Sequence, residues 1–263
     1  MSLLTALFAQ PALILRHRNI FLLSHMRANT SLFGHLLGSH PQIEGYYEMH
    51  IGYYSWRSLW RQKQIYFSRH EAKRGAKYMF DKVLHDGHAV NPVLLQRQDC
   101  RTVMMLRSPA QSIKSLIALY RQSHPSLPEA TAEGATRYYV DRLATLADIA
   151  GAISDRYYYL DAECLVESTA STLADLGSWL DLESPIPFEY QTFSNTGLNH
   201  AGDTSARLKS GKISRDSRDY AEIELAPALL EVATAAYGRH RATLVQLSNE
   251  RSLREHVATD LQG

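Results

Sequence analysis

Short apolar runs alternate along this chain with longer stretches of helical spacing. Ile20-Phe21-Leu22-Leu23 is bounded by polar residues and predicts a buried strand. Leu32, Phe33, Leu36 and Leu37 then recur at helical intervals, predicting a helix over 30–37. Tyr78-Met79-Phe80 predicts a second strand, and Thr102 to Leu106 a third. The third runs into Arg107-Ser108-Pro109, and a helix is expected from about 110 to 121, with Pro109 suited to its first turn. Helical periodicity returns over 133–153, a fourth strand over Arg156 to Leu160, and another amphipathic helix over 168–180. The stretch 184–218 is rich in Pro, Ser, Asn and Gly and lacks periodicity, which predicts a long ordered loop serving a site. Two helices, about 220–237 and 239–258, are expected to close the chain.

Strands alternating with helices predict an α/β fold, a three-layer parallel sheet with helices on both faces. Ligands of such sheets bind at the carboxyl ends of the strands. That rule places Arg27, Lys82, Arg107 and Asp161 at one edge. The 263 residues are expected to form a single domain, with 1–18 as an N-terminal arm, 184–218 as a covering loop and 219–263 as C-terminal helices.

Composition narrows the function classes. The chain is 45% hydrophobic and 21% charged, which excludes a disordered or fibrous protein. Cys100 and Cys164 are too few for a disulfide framework and suit a reducing, cytoplasmic setting. No apolar run reaches the ~18–20 residues of a membrane span, so membrane contact is expected at most as a weak surface association of the arm. The net charge, 28 − 27 = +1, conceals an asymmetry. Residues 1–124 carry 16 basic against 6 acidic side chains, and the rest 12 against 21. A basic first half predicts an anionic ligand there. The basic residues form no tract, so nucleic acid is not the expected partner.

The strand–helix junction at 24–31 is a candidate anion cradle. A helix starting near Asn29 presents backbone N–H groups and a positive dipole end. Thr30 and Ser31 add hydroxyls, and Arg27 adds a fork of donors suited to phosphate or sulfonate. The loop lacks the glycines and lysine of a nucleotide P-loop. An ordinary helix cap by Asn29 or Thr30 is the plain alternative. At the second junction Arg107 ends a strand and Ser115 lies eight residues on along the next helix, a spacing at which the two can share one phosphate.

Together these segments resemble the sulfotransferase family, whose donor is 3′-phosphoadenosine 5′-phosphosulfate. Met26-Arg27-Ala28-Asn29-Thr30-Ser31 stands where the family has P-R-S-G-T-[ST]. Ser39-His40-Pro41 with Tyr46-Tyr47-Glu48, Phe80-Asp81-Lys82 and Val103 to Ser115 follow in the family's order. Tyr159 to Leu165 and Gly202-Asp203-Thr204-Ser205 through Lys212 complete the likeness, which covers about 19–215. Ala28-Asn29 replaces Ser-Gly, removing a hydroxyl and a glycine; Asn tolerates left-handed backbone better than most residues.

The resemblance implies a P-loop-NTPase-like sulfotransferase fold and a carbohydrate-type enzyme acting on a saccharide or glycolipid hydroxyl by in-line displacement. Arg27 and Ala28 to Ser31 would hold the 5′-phosphosulfate, and Arg107 with Ser115 the 3′-phosphate. Ser210, Gly211 and Lys212 would belong to the loop closing over the nucleotide. Lys82 would meet the charge developing on the transferring group. No metal is required, since side-chain cations take its place. Three residues compete for the general base: Glu48, where carbohydrate and tyrosyl members place a glutamate, then His85 and His50. Tyr47, His50, Tyr53 and Tyr54 are candidate acceptor contacts, with core packing as the plain alternative for the tyrosines. A catalytically inactive nucleotide-binding module and a phosphoryl-transfer enzyme are the competing readings.

Overall fold

The computed structural model describes residues 11–194, 196–197, 206–214 and 220–254. Six parallel strands form one open sheet in the order β2-β3-β1-β4-β5-β6. They are β1 (Arg18–Ser24), β2 (Ile43–Glu44), β3 (Tyr78–Val83), β4 (Cys100–Leu106), β5 (Tyr157–Asp161) and β6 (Glu250–Ser252). β1 lies at the centre, with Leu22 opposite Lys82 of β3 and Val103 of β4.

Alternation along β1 separates two cores. Phe21 and Leu23 pack on one side with α2 (Trp56–Phe67), α4 (Pro109–Ser123), α5 (Ala132–Ala152) and α9 (Pro227–Leu247). Ile20 and Leu22 pack on the other with α1 (Thr30–Ser39), α6 (Cys164–Glu167) and α7 (Thr169–Trp179). The predicted α/β architecture with helices on both faces is therefore the observed one. Two short helices, α3 (Pro92–Leu95) and α8 (Ala206–Lys209), complete the set. Residues 11–14 form a 3-10 turn whose Leu13 is buried in the first core, and Lys63 of α2 donates to the Leu15 carbonyl, so this part of the expected arm docks.

The chain's end departs from expectation. A single helix, Pro227–Leu247, replaces the expected pair, and a sixth strand follows it. Pro227 occupies the first helical turn and biases Ala226 to extended backbone, ψ 135°, so 220–226 is not helical. The expected break at Gly238 does not occur. A Cβ there would meet nothing within 4 Å, and the helix is held on either side by buried Ala233, Tyr237 and Leu244. β6 was invisible because Glu250-Arg251-Ser252 carries no apolar run; its place is set by pairing Leu160 with Ser252. β2, only two residues long, escaped for the same reason.

Close packing at α1 draws the segment bearing Glu48 against the sheet. A Cβ on Gly34 would stand 2.3 Å from the Tyr46 carbonyl oxygen, so only glycine permits this approach.

Candidate functional site

The carboxyl ends of β1 and β4 open into a cleft. Arg27, Asn29, Thr30, Ser31, Arg107 and Ser115 line it on the sheet side, and Tyr190, Arg207, Lys212 and Tyr220 on the other. Arg27 sits at φ +66° and Asn29 at φ +57°, both left-handed. Asn29 adopts the left-handed geometry that an asparagine tolerates better than most residues. Its backbone caps α1 without a side-chain hydrogen bond, leaving Nδ2 to donate to the Ala162 carbonyl at 3.3 Å. The helix start thus faces the cleft with its positive end.

The two arginines meet. Arg107 Nη1 donates to the Arg27 carbonyl at 3.1 Å, and Arg27 Nε donates to Ser115 Oγ at 2.8 Å. Tyr220 donates its hydroxyl to the same serine oxygen at 2.8 Å. Ser115 is therefore joined to Arg27, and it lines the same cleft as Arg107, the residue with which its spacing lets it share a phosphate. Burial lowers the Arg107 pKa, the neighbouring Arg27 and Arg207 push the same way, and Glu163 opposes them. Three guanidinium groups crowd one partly desolvated cleft, an arrangement that a multiply charged anion relieves.

A buried histidine fixes this pair. His25 Nε2 accepts from the Arg107 backbone N–H at 3.0 Å, and Nδ1 contacts the Met26 carbonyl at 2.9 Å. The ring therefore carries its proton on Nδ1 and is neutral. Burial pushes its pKa down to about 4, in agreement. Helix α5 supplies a second brace. Tyr138 Oη accepts from the Met26 N–H at 2.8 Å and donates to the Leu84 carbonyl at 2.6 Å. Arg142, buried, donates to the carbonyls of Ser24 and Val83 and to Asp86.

Lys82 is 2% exposed, and its ammonium lies 3.4 Å from Ser31 Oγ. Its neighbour Asp81 accepts from the backbone N–H groups of Met49 and Lys82 and from the Tyr53 hydroxyl. Burial raises the Asp81 pKa to about 7, and the nearby Glu48 charge pushes the same way.

Glu48 lies beside this lysine-bearing strand end. Its Oε1 is buried with no hydrogen-bond partner among the described residues. Two imidazoles face it, with His85 Nε2 at 3.7 Å and His50 Nδ1 at 3.9 Å. All three candidate bases are therefore neighbours. His50, His85 and His88 also form a cluster in which one nitrogen of each ring lies within 4.8 Å of those of the other two.

The aromatic run divides. Tyr53 is fully buried and Tyr47 nearly so, so neither ring is a stacking surface; Tyr53 supports Asp81 instead. Tyr54 and Trp56 are exposed, at 61% and 62%. In the late loop Ser210 and Gly211 do not line the cleft. Gly211 turns the chain at φ +71°, and the Ser210 hydroxyl donates to the Arg207 and Lys212 carbonyls. That turn presents Arg207 and Lys212, which do line it. Gly202 to Ser205 lie outside the described residues. Asp161 stays at the predicted sheet edge but is spent on Arg241 and the Arg254 N–H.

Tyr190, Arg207 and Tyr220 of the cleft lining, and buried His25 behind it, had no site role in the sequence reading. A basic residue in the late loop was the one available signal, for Arg207; Tyr220 reaches Ser115 across 105 residues, and His25 gave none.

No family model and no curated protein matches this chain. Among solved structures, it resembles the sulfotransferase domain from the curacin biosynthetic pathway, with TM-score 0.56 and 15% identity over 86% of this chain and 97% of that one. It resembles equally the sulfotransferase domain from the Synechococcus PCC 7002 olefin synthase, with TM-score 0.56 and 17% identity over 86% and 95%. At such identity the likeness is one of fold: the chain folds as sulfotransferase domains do.

Proposed function

We propose that the protein is a sulfotransferase that takes a sulfuryl group from 3′-phosphoadenosine 5′-phosphosulfate and delivers it to an acceptor hydroxyl, that of a saccharide or glycolipid. The observation that carries this reading is the junction of Arg27 and Arg107 over the start of α1. A single cleft there offers guanidinium groups, hydroxyls and a helix N-terminus to one ligand with several anionic groups. The bound donor would supply the activated sulfuryl group.

The chain's own groups divide the work. Arg27 and the residues Asn29 to Ser31 hold the phosphosulfate end. Arg107, with Arg207 near it, takes the second phosphate, and Ser115 orients Arg27. Lys82, buried beside Ser31, is a fixed cation available to charge that grows on the transferring group. Glu48 accepts the proton of the acceptor hydroxyl. It suits that role better than His85 because its Oε1 is buried and lacks a hydrogen-bond partner among the described residues, whereas His85 is a third exposed. The exposed rings of Tyr54 and Trp56 give the acceptor side an apolar face.

Incubating the protein with sulfate-labelled donor and panels of glycans, glycolipids and phenols tests this reading. Label transfer to at least one glycan or glycolipid is expected. Tight donor binding without transfer to any acceptor would favour an inactive nucleotide-binding module.

A further inference from the structure

The histidine cluster beside Glu48 lies outside the nucleotide cleft, and its geometry has a use of its own. The ring centroids are 4.7 Å apart for His85 and His88, 5.7 Å for His50 and His88, and 6.4 Å for His50 and His85. Three imidazoles radiating from one tetrahedral ion, with metal–nitrogen bonds of ~2.0–2.1 Å, have centroids about 5 Å apart. The observed separations bracket that value. Glu48 Oε1, at 3.7 Å from His85 and 3.9 Å from His50, adds an oxygen on the same side.

The chain builds this cluster with some effort. His50 holds φ +54°, a left-handed conformation costing ~1–2 kcal/mol for a residue with a side chain. His85 and His88 close a tight turn through the His88 N–H and the His85 carbonyl, 3.2 Å apart. A Cβ at Gly87 would come within 3.0 Å of His85 Nδ1, so glycine lets that ring lie over the turn. Asp86 is anchored outward to Arg142 and Thr145, which keeps its carboxylate off the imidazoles. The two loops are joined where Tyr53 bridges Val90. All three rings are at least partly exposed, so an ion has access.

We propose that His50, His85 and His88 bind a late first-row divalent metal ion, Zn2+ by ligand type, with Glu48 as the fourth protein ligand. Coordination to the cation withdraws charge from the Glu48 carboxylate and makes it a poorer proton acceptor, so the ion acts as an off switch. That effect on turnover rests on the sulfotransfer reading; the site does not.

Titration calorimetry of the full chain with zinc chloride, and visible absorption with cobalt chloride, test it. One ion per chain is expected, with a cobalt spectrum typical of four-coordinate nitrogen and oxygen ligation. His88→Ala should weaken zinc binding at least tenfold and abolish that spectrum. His50→Ala serves as a second variant, and a retained nucleotide-induced thermal shift certifies that each variant is folded. Absence of one-to-one zinc binding in the parent, or equal affinity in both folded variants, overturns the site. Failure of the sulfotransfer reading shows differently, as metal-free protein that moves no label while zinc still binds.

Discussion

Arg107 reaches across from the end of β4 to donate to the backbone carbonyl of Arg27 at 3.1 Å, while Arg27 itself donates to Ser115. Each arginine is therefore set by the other's segment. The cleft's charge arises from this mutual arrangement, and disturbing one member moves its partner. Arg107→Ala is expected to weaken binding of a 3′,5′-bisphosphorylated adenosine about 10- to 150-fold, the value of a lost hydrogen bond to a charged group of ~1.5–3 kcal/mol. Ser115→Ala should weaken it less, because it removes one hydrogen bond from Arg27 without deleting a cation. Calorimetry on the two variants checks the order.

Glu48→Gln should lower kcat by about 10²–10⁴ with nucleotide affinity unchanged, as befits loss of a general base away from the phosphates. Steady-state rates beside nucleotide titrations read both quantities. Normal turnover in Glu48→Gln with loss in His85→Ala would transfer the role to His85.

Lys82→Ala should cost about 10²–10³ in kcat through lost stabilisation of developing charge. Lys82→Met keeps most of the buried volume, so rates in this variant separate charge from packing.

His25 predicts a pH signature. Its folded pKa is pushed down to about 4, below the ordinary 6.5, by burial. Both states are neutral above pH 6.5; below it the unfolded chain takes up a proton that the folded one refuses. The stability this group contributes is complete above pH 6.5 and falls as pH drops toward about 4, by ~1.4 kcal/mol per unit. Asp81, raised to about 7, runs the other way, its contribution falling as pH rises from about 4 to 7. The comparison of parent with His25→Gln isolates the histidine: their melting temperatures should converge as pH falls from 6.5. A constant gap would contradict it.

Asn29 at φ +57° makes a sharper backbone prediction. Asn29→Gly should be tolerated in both stability and nucleotide binding. Asn29→Val should cost ~1–2 kcal/mol and loosen the cradle, because a β-branched side chain resists left-handed backbone. Denaturant unfolding measures the first and nucleotide titration the second.

The sheet was legible because buried parallel strands are continuous apolar runs, and β1, β3, β4 and β5 all contain one. β6 and β2 were not, since their membership comes from pairing alone. Arg27, Arg107 and Ser115 could be read from their order along the chain, yet the bond from Ser115 to Arg27 could not, because it depends on where α4 lies over the first loop. The tyrosines of 46–54 illustrate the same limit. Composition places aromatic rings near Glu48, but only the fold tells the buried ring of Tyr53, bonded to Asp81, from the exposed ring of Tyr54.

The proposed function requires two arginines, Arg27 and Arg107, to share one bisphosphorylated nucleotide. Thermal unfolding with 3′-phosphoadenosine 5′-phosphate, set beside adenosine 5′-phosphate at equal concentration, tests that most directly. A clear rise in melting temperature with the first, a far smaller one with the second, and loss of the difference in Arg107→Ala are expected. Equal shifts from both nucleotides, or a difference that survives in Arg107→Ala, would contradict it.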